Sequence, residues 1–239
     1  SPLIMSTASA TDFNIIYNQN SLLTSFKEAG FSTVFISHQS ANRTFTDYFA
    51  QEAEHIYYYR HFNDDINEHD YVMLPKLEHY IDSIKGDLFI VLHTYGSHFN
   101  YKERYPESFA KFKPDEAMKI NKANREYLIN AYDNTILYTD NFLHQVINIL
   151  TETNDCTSMF FVSDHGEDIL DDRRERFLHA SPNPTIHQLR IPMLIWFSPV
   201  YKENYPANAE QAEKNRLKPV TTNAVFHTLL NIAGIKTNY

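Results

Sequence analysis

Ser158 to Glu167 reads SMFFVSDHGE, a short apolar run that ends just before Asp164, His165, Gly166 and Glu167. The run has the length and composition of a buried strand, so the polar group stands at its carboxyl end. In open α/β sheets that edge is where ligands bind. Carboxylate oxygen and imidazole nitrogen are donors that suit zinc. Adjacent ligands reach one ion only if the backbone turns sharply, and Gly166 permits such a turn at low steric cost. The same tetrapeptide also suits a plain surface turn after a strand.

Outward from this segment the pattern repeats. Phe31 to Ser37 (FSTVFIS), Asp87 to Leu92 (DLFIVL) and Ile191 to Phe197 (IPMLIWF, beginning after Pro192) read as three more strands. Ser21 to Ala29 predicts a helix stopped by Gly30. The longest helix is expected over about Arg125 to Thr151, with Ile136, Leu143, Ile147 and Leu150 on its apolar face at spacings of seven, four and three. A last helix should span about Thr222 to Ala233, capped by Thr222 and ended by Gly234. His98 to Pro114 and Asp168 to Gln188 read as loops. Short strands alternating with helices predict an α/β fold, a mostly parallel sheet flanked by helices on both faces. With no internal repeat and no composition break, residues 1–239 read as a single domain.

Composition narrows the function. Hydrophobic residues make up 43% of the 239 and charged residues 21%, the balance of a folded globular domain. The net charge of −9 gives no general attraction for nucleic acid or anionic lipid. An anionic substrate therefore has to be held by a metal ion or by a few placed basic side chains. Twelve histidines is a high count and directs attention to metal sites. The single cysteine, Cys156, excludes an internal disulfide and a CxxC site and reads as small apolar filler beside a strand. No stretch approaches the roughly 20 apolar residues of a membrane helix, and no leader pattern opens the chain. The opening SPLIMSTASATDF reads as the interior of a domain, so a piece of a longer protein is expected.

Two histidine groups accompany the DHGE segment. His93 directly follows DLFIVL, and His98 stands five residues on in a Gly-Ser-containing loop. Such a pair can converge on one anion or metal, where an imidazolium or a donating ring nitrogen would stabilise charge on a transferring phosphoryl group. Equally, one ring can pack under the loop and leave the other exposed. His179 follows Asp171 to Arg176 (DDRRER), a run that is simplest as a solvated face. Alone, a loop histidine is more often without a functional role than with one.

Taken in order, HTYGSH (residues 93–98), NAYDNTILYTDNFL (130–143), VSDHGE (162–167), Leu178-His179 and IPMLIWFS (191–198) resemble the phosphoethanolamine transferases of the alkaline-phosphatase and sulfatase superfamily. The resemblance runs from about Ser21 to Pro199 and is strongest from Asp87 to His179. GSHFNYKERYP, with Arg104-Tyr105-Pro106, is far more specific than DHG alone. What it implies is an alkaline-phosphatase/sulfatase-like fold and an enzyme anchored in the bacterial inner membrane by an N-terminal transmembrane region absent from this chain. The soluble domain would face the periplasm. Such enzymes take phosphoethanolamine from phosphatidylethanolamine and attach it to lipid A or to core sugars of lipopolysaccharide. On matching positions, Asp164 and His165 are the implied zinc ligands. His98 and His179 are implied to contact the phosphoryl group or a second zinc, as acid, base or charge stabiliser. Glu167 is implied as an acidic neighbour of the site, and His93 as the first histidine of the loop. In SHQSANR, which aligns more loosely, Gln39 and Arg43 fall where the family places a substrate-contacting amide and lysine. Zinc, as one or two ions, is the implied cofactor.

Two features depart from the family. Its zinc site also uses a glutamate in a GES-like segment and a threonine nucleophile, and neither pattern is present. SPLIMS resembles the stretch just downstream of that threonine, so the nucleophile is expected shortly before Ser1. One ligand set would then be incomplete, and these residues alone inactive. Many relatives are also rich in disulfides, whereas this chain has one cysteine. The implied mechanism is a two-step displacement through a phospho-threonine adduct. Two other readings stay open: a sulfatase, phosphodiesterase or phosphatase-type hydrolase of the same superfamily, and a non-catalytic binding domain. A monomer is expected, with no nucleic-acid partner.

Overall fold

A computed structural model describes residues 19–41, 45–59, 68–179 and 182–236. In chain order the elements are α1 (Leu22–Glu28), β1 (Ser32–Ser37), α2 (Phe45–Ala50), β2 (His55–Tyr58), α3 (Leu74–Ser83), β3 (Leu88–His93), α4 (Arg125–Glu152), β4 (Ser158–Val162), β5 (Asp168–Ile169) and β6 (Phe177–Leu178). There follow α5 (Ile186–Leu189), β7 (Met193–Phe197), α6 (Pro199–Asn204), α7 (Pro206–Asn215) and α8 (Asn223–Ile232). The four strands and three helices expected from sequence are present within a residue or two of their predicted bounds. Ser21 starts α1 by accepting the Leu23 N–H on its hydroxyl at 3.1 Å. Gly30 then ends that helix with a left-handed φ of 95°, a conformation a side chain would resist.

β1 is the centre of a three-stranded parallel sheet in the order β2-β1-β3. Successive side chains of a strand face opposite ways, and β1 buries both sets. Val34 and Ile36 pack with Met73, Leu77, Phe142 and Val146 from α3, the turn before it, and α4. Phe35 points the other way, to Leu23 of α1 and Ala50 of α2. α8 joins that second face through Phe226 and Leu230, which pack on Leu22 and Phe26. Each such buried side chain contributes about 1.5–3 kcal/mol. Helices thus cover both faces, as expected. β4 and β7, however, pair antiparallel, Ser158 opposite Phe197 and Val162 opposite Met193. The segment between them carries the short antiparallel pair β5–β6 and the single helical turn α5.

Three expectations fail on detail. Of the expected face of α4, Leu143 and Leu150 pack against the core, but Ile136 is 47% exposed and the fully buried residues are Leu128, Ala131, Tyr138, Phe142 and Val146. Polar residues complete the true stripe: buried Asn134 accepts the Phe112 N–H and donates to the Phe112 carbonyl, both at 2.9 Å. Counting aliphatic residues alone misses such a face. Thr222 stands at the N-cap of α8 but makes no capping bond through its side chain. Cys156 is exposed rather than packed beside a strand. Among the described residues, no helix is long and apolar enough to cross a membrane.

Candidate metal centre

β1 and β3 end side by side, Ser37 opposite His93. Ser37 Oγ lies 2.9 Å from His93 Nδ1. Burial pushes the His93 imidazole below its ordinary value, against the fields of Asp164, Asp47 and Asp70. Gln39 commits its side-chain amide to the Thr94 carbonyl at 3.0 Å, tying the two strand ends together. Arg43 lies outside the described residues.

The loop that leaves β3 is held from below by Asp70. This buried carboxylate accepts the backbone N–H groups of Tyr95 at 2.8 Å and Gly96 at 2.9 Å, and His38 Nδ1 lies 2.7 Å from it. Three partners on one carboxylate fix the turn that presents His98, whose own ring is exposed with Nδ1 2.6 Å from the Phe99 carbonyl. No local sequence signal marks Asp70, because its partners are 25, 26 and 32 residues away.

β4 delivers the DHGE segment. The His165 ring stacks on His179, centroids 3.6 Å apart. Glu167, with a side chain only 5% exposed, lies 2.8 Å from His179 Nδ1 and 3.7 Å from His165 Nδ1. Tyr101, a residue the motif reading left without a role, donates its hydroxyl to the other oxygen of Glu167 at 3.5 Å. Burial, and then the Glu167 charge, push the Tyr101 phenol well up, so it remains a donor. His179 is aimed here by Leu178, whose left-handed φ of 67° costs roughly 1–2 kcal/mol for an L residue. The apolar cluster of Tyr101, Leu128, Ile169 and Leu170 takes in Leu178 and Phe177 and offsets that cost. Gly166 has no left-handed φ. Its need is space: a Cβ there would stand 2.0 Å from the His187 carbonyl oxygen, while its N–H bonds Gln188 O at 2.9 Å.

Among the described residues, His165, Glu167 and His179 are the three that could share a metal ion, with donor atoms all within 4.8 Å. Asp164 stands beside this group, its side chain 75% exposed and its Oδ2 3.6 Å from His165 Nε2. Two ligands of tetrahedral zinc, each bonded at about 2.0–2.1 Å, lie about 3.4 Å apart, so the Asp164–His165 pair fits that ion with little adjustment. The nitrogen and carboxylate donors of the neighbouring group suit zinc equally. Neither His93 nor His98 joins a three-residue ligand group among the described residues.

The surrounding loops are pinned rather than free. DDRRER is not simply a solvated face: Arg125, at the start of α4, donates to Asp171 at 2.7 Å and to the Ile169 carbonyl at 2.8 Å. Arg176 lies 3.7 Å from buried Asp168. In the loop after His98, buried Asp115 accepts from Lys102 (2.8 Å), Lys113 (2.9 Å) and Tyr105 (2.7 Å). Burial alone would raise its carboxyl, but these bonds outweigh burial and hold it at about 2, below the usual 3.8. A depressed folded-state value means stability that is full above about pH 4 and lost as pH falls towards 2. The shift corresponds to roughly 2 kcal/mol. Asp115→Asn should therefore flatten the acid limb of stability by that amount in denaturant titrations between about pH 5 and pH 2. Parallel limbs for wild type and variant would refute the assignment. A groove of about 550 Å³, lined by Tyr71, Leu74, Glu78, Gln145 and Ile149, opens between α3 and the far half of α4 and shares no residue with the histidine cluster.

Comparison with known proteins places this geometry. The Sulfatase family model matches residues 3–235. Phosphoethanolamine transferase EptA of Salmonella typhimurium is 38% identical over 178 residues, covering 72% of this chain and 32% of that protein. Kdo(2)-lipid A phosphoethanolamine 7''-transferase of Escherichia coli is 42% identical over 127 residues, 52% of this chain and 22% of that one. Among solved structures, the C-terminal periplasmic domain of EcEptC from Escherichia coli, in complex with Zn, matches with a TM-score of 0.80 and 26% identity, covering 90% of this chain and 62% of that chain. The chain spans a third or less of the length of these curated relatives.

Proposed function

The chain belongs to the sulfatase family, and on that footing we propose that it forms the metal-binding and substrate-binding part of a phosphoethanolamine transferase that modifies lipid A or lipopolysaccharide. The proposed donor is phosphatidylethanolamine, and the proposed place of action is the periplasmic side of the bacterial inner membrane. The observation that carries this reading is the Asp164–His165 pair at 3.6 Å with His179 stacked on it, in a chain whose relatives are named for this transfer. Asp164 and His165 would hold zinc, and His165, Glu167 and His179 offer an adjoining set of donors. When bound, zinc supplies Lewis acidity at a phosphoryl oxygen and lowers the pKa of a coordinated hydroxyl. The chain's own residues do the rest. Glu167 orients the His179 ring, and His179 and His98 stand to give a hydrogen bond or a proton to the phosphoryl and leaving oxygens. Asp70 holds the turn on which His98 sits.

The test uses the full-length protein with headgroup-labelled phosphatidylethanolamine and lipid A. Label should move to lipid A, stop moving after chelation, and resume on adding zinc. Label released to water instead would mark a hydrolase, and label that moves undiminished after complete metal removal would exclude the zinc site.

A further inference from the structure

The Ser37 hydroxyl has one proton and two lone pairs, and three groups stand within hydrogen-bond distance of it. The Gln39 carbonyl oxygen lies at 3.0 Å, the Gln39 N–H at 3.1 Å and His93 Nδ1 at 2.9 Å. The hydroxyl is placed to donate to Gln39 O, and giving its proton to Nδ1 instead would take that bond away from the carbonyl. A backbone N–H only donates, so it takes one lone pair. The remaining lone pair is satisfied only if Nδ1 carries hydrogen. The opposite tautomer would either set two lone pairs against each other or draw the hydroxyl proton away from Gln39 O, at a Ser37 that is 0% exposed and out of reach of correcting water.

We propose that Ser37 is a positioning residue that fixes His93 as the Nδ1–H tautomer, so that the ring meets substrate through an unprotonated Nε2, as an acceptor. Among the described residues Nε2 has no hydrogen-bond partner of its own. A ring in this state does not bond phosphoryl oxygens, which only accept. It takes a hydrogen-bond donor or a metal ion; among the described residues His93 joins no three-residue ligand group, and the chemistry at hand offers a donor, the ammonium of a primary-amine headgroup. The local field agrees, because Asp164, Asp47 and Asp70 all favour positive charge at His93 while burial keeps the ring itself neutral. The headgroup assignment rests on the transferase reading, whereas the tautomer does not.

Nitrogen-15 spectra of the full-length protein labelled at histidine read the tautomer directly. Nδ1 of His93 should be protonated and Nε2 bare; a protonated Nε2, in a neutral or cationic ring, overturns the proposal. Ser37→Ala should release the ring to mixed tautomers while Ser37→Thr, which keeps a hydroxyl, preserves the single form. An unchanged His93 spectrum in Ser37→Ala would remove Ser37 from the role. With phosphatidylethanolamine as donor, Ser37→Ala should raise KM about tenfold with kcat nearly unchanged, and Ser37→Thr should restore it. Phosphatidylcholine, which has no N–H to give, should be poorly used by wild type, and the preference between the two lipids should narrow in Ser37→Ala. Equal KM in wild type and Ser37→Ala overturns the headgroup contact. A wild-type protein that transfers no headgroup would refute the transferase reading, and the ring spectrum would still decide the tautomer.

Discussion

His165→Ala in the full-length protein is expected to abolish bound zinc at the Asp164 site and to lower transfer about a thousandfold or more. Both nitrogens and the face of this ring have neighbours. Nε2 faces Asp164 at 3.6 Å, Nδ1 lies 3.1 Å from the Gly166 carbonyl and 3.7 Å from Glu167, and the ring plane stacks on His179. Loss of a residue that merely supports a metal ligand costs 10–100-fold. Loss of a donor that two candidate sets share should cost more. Elemental analysis and a transfer assay on the same preparation check this, with thermal unfolding in chelator to show that the fold survives. Wild-type zinc and wild-type transfer together would sink the assignment.

Gly166→Ala should destabilise the protein by about 3 kcal/mol, or roughly 10 °C in Tm for a chain of this size. The added Cβ would meet the His187 carbonyl oxygen at 2.0 Å. The obstacle is backbone, so no side-chain rotation relieves it. Relief requires the DHGE turn and the segment before β7 to part, which breaks the Gly166 N–H bond to Gln188 O and moves His165 off His179. Zinc and activity should therefore fall with stability. A variant that melts within a degree or two of wild type and keeps its zinc would show that the two segments do not touch.

Gly166 shows how a residue read from sequence for one reason can be required for a second. Glycine there permits a sharp turn, but its φ is not left-handed, and the tertiary structure adds the need for an absent Cβ. α4 is a similar case. Its bounds follow from periodicity, but its buried face passes through Asn134, a polar residue that an apolar count skips and that locks Phe112 from both sides. α3 does carry a local signal, since Leu74, Leu77, Tyr80 and Ile81 fall at helical spacing. β2 does not: HIYY is too short for a period to show. Tyr101 lies inside the distinctive GSHFNYKERYP segment, but nothing in its spacing says that its hydroxyl reaches Glu167.

By itself the sequence determined where strands end and what kind of donor follows each end. Period and side-chain chemistry are local properties, readable along the chain. Asp164-His165 after β4 and His93 at the end of β3 were both legible for that reason. Only the tertiary structure decided that His179 stacks on His165, that Asp70 supports the His98 turn, and that Ser37 sets the face His93 presents. Each of those contacts joins segments 14 to 56 residues apart, and a linear pattern carries no distance between them. Packing β1 against helices on both faces supplies it, because a strand buried on both sides has one register, and that register sets Ser37 opposite His93.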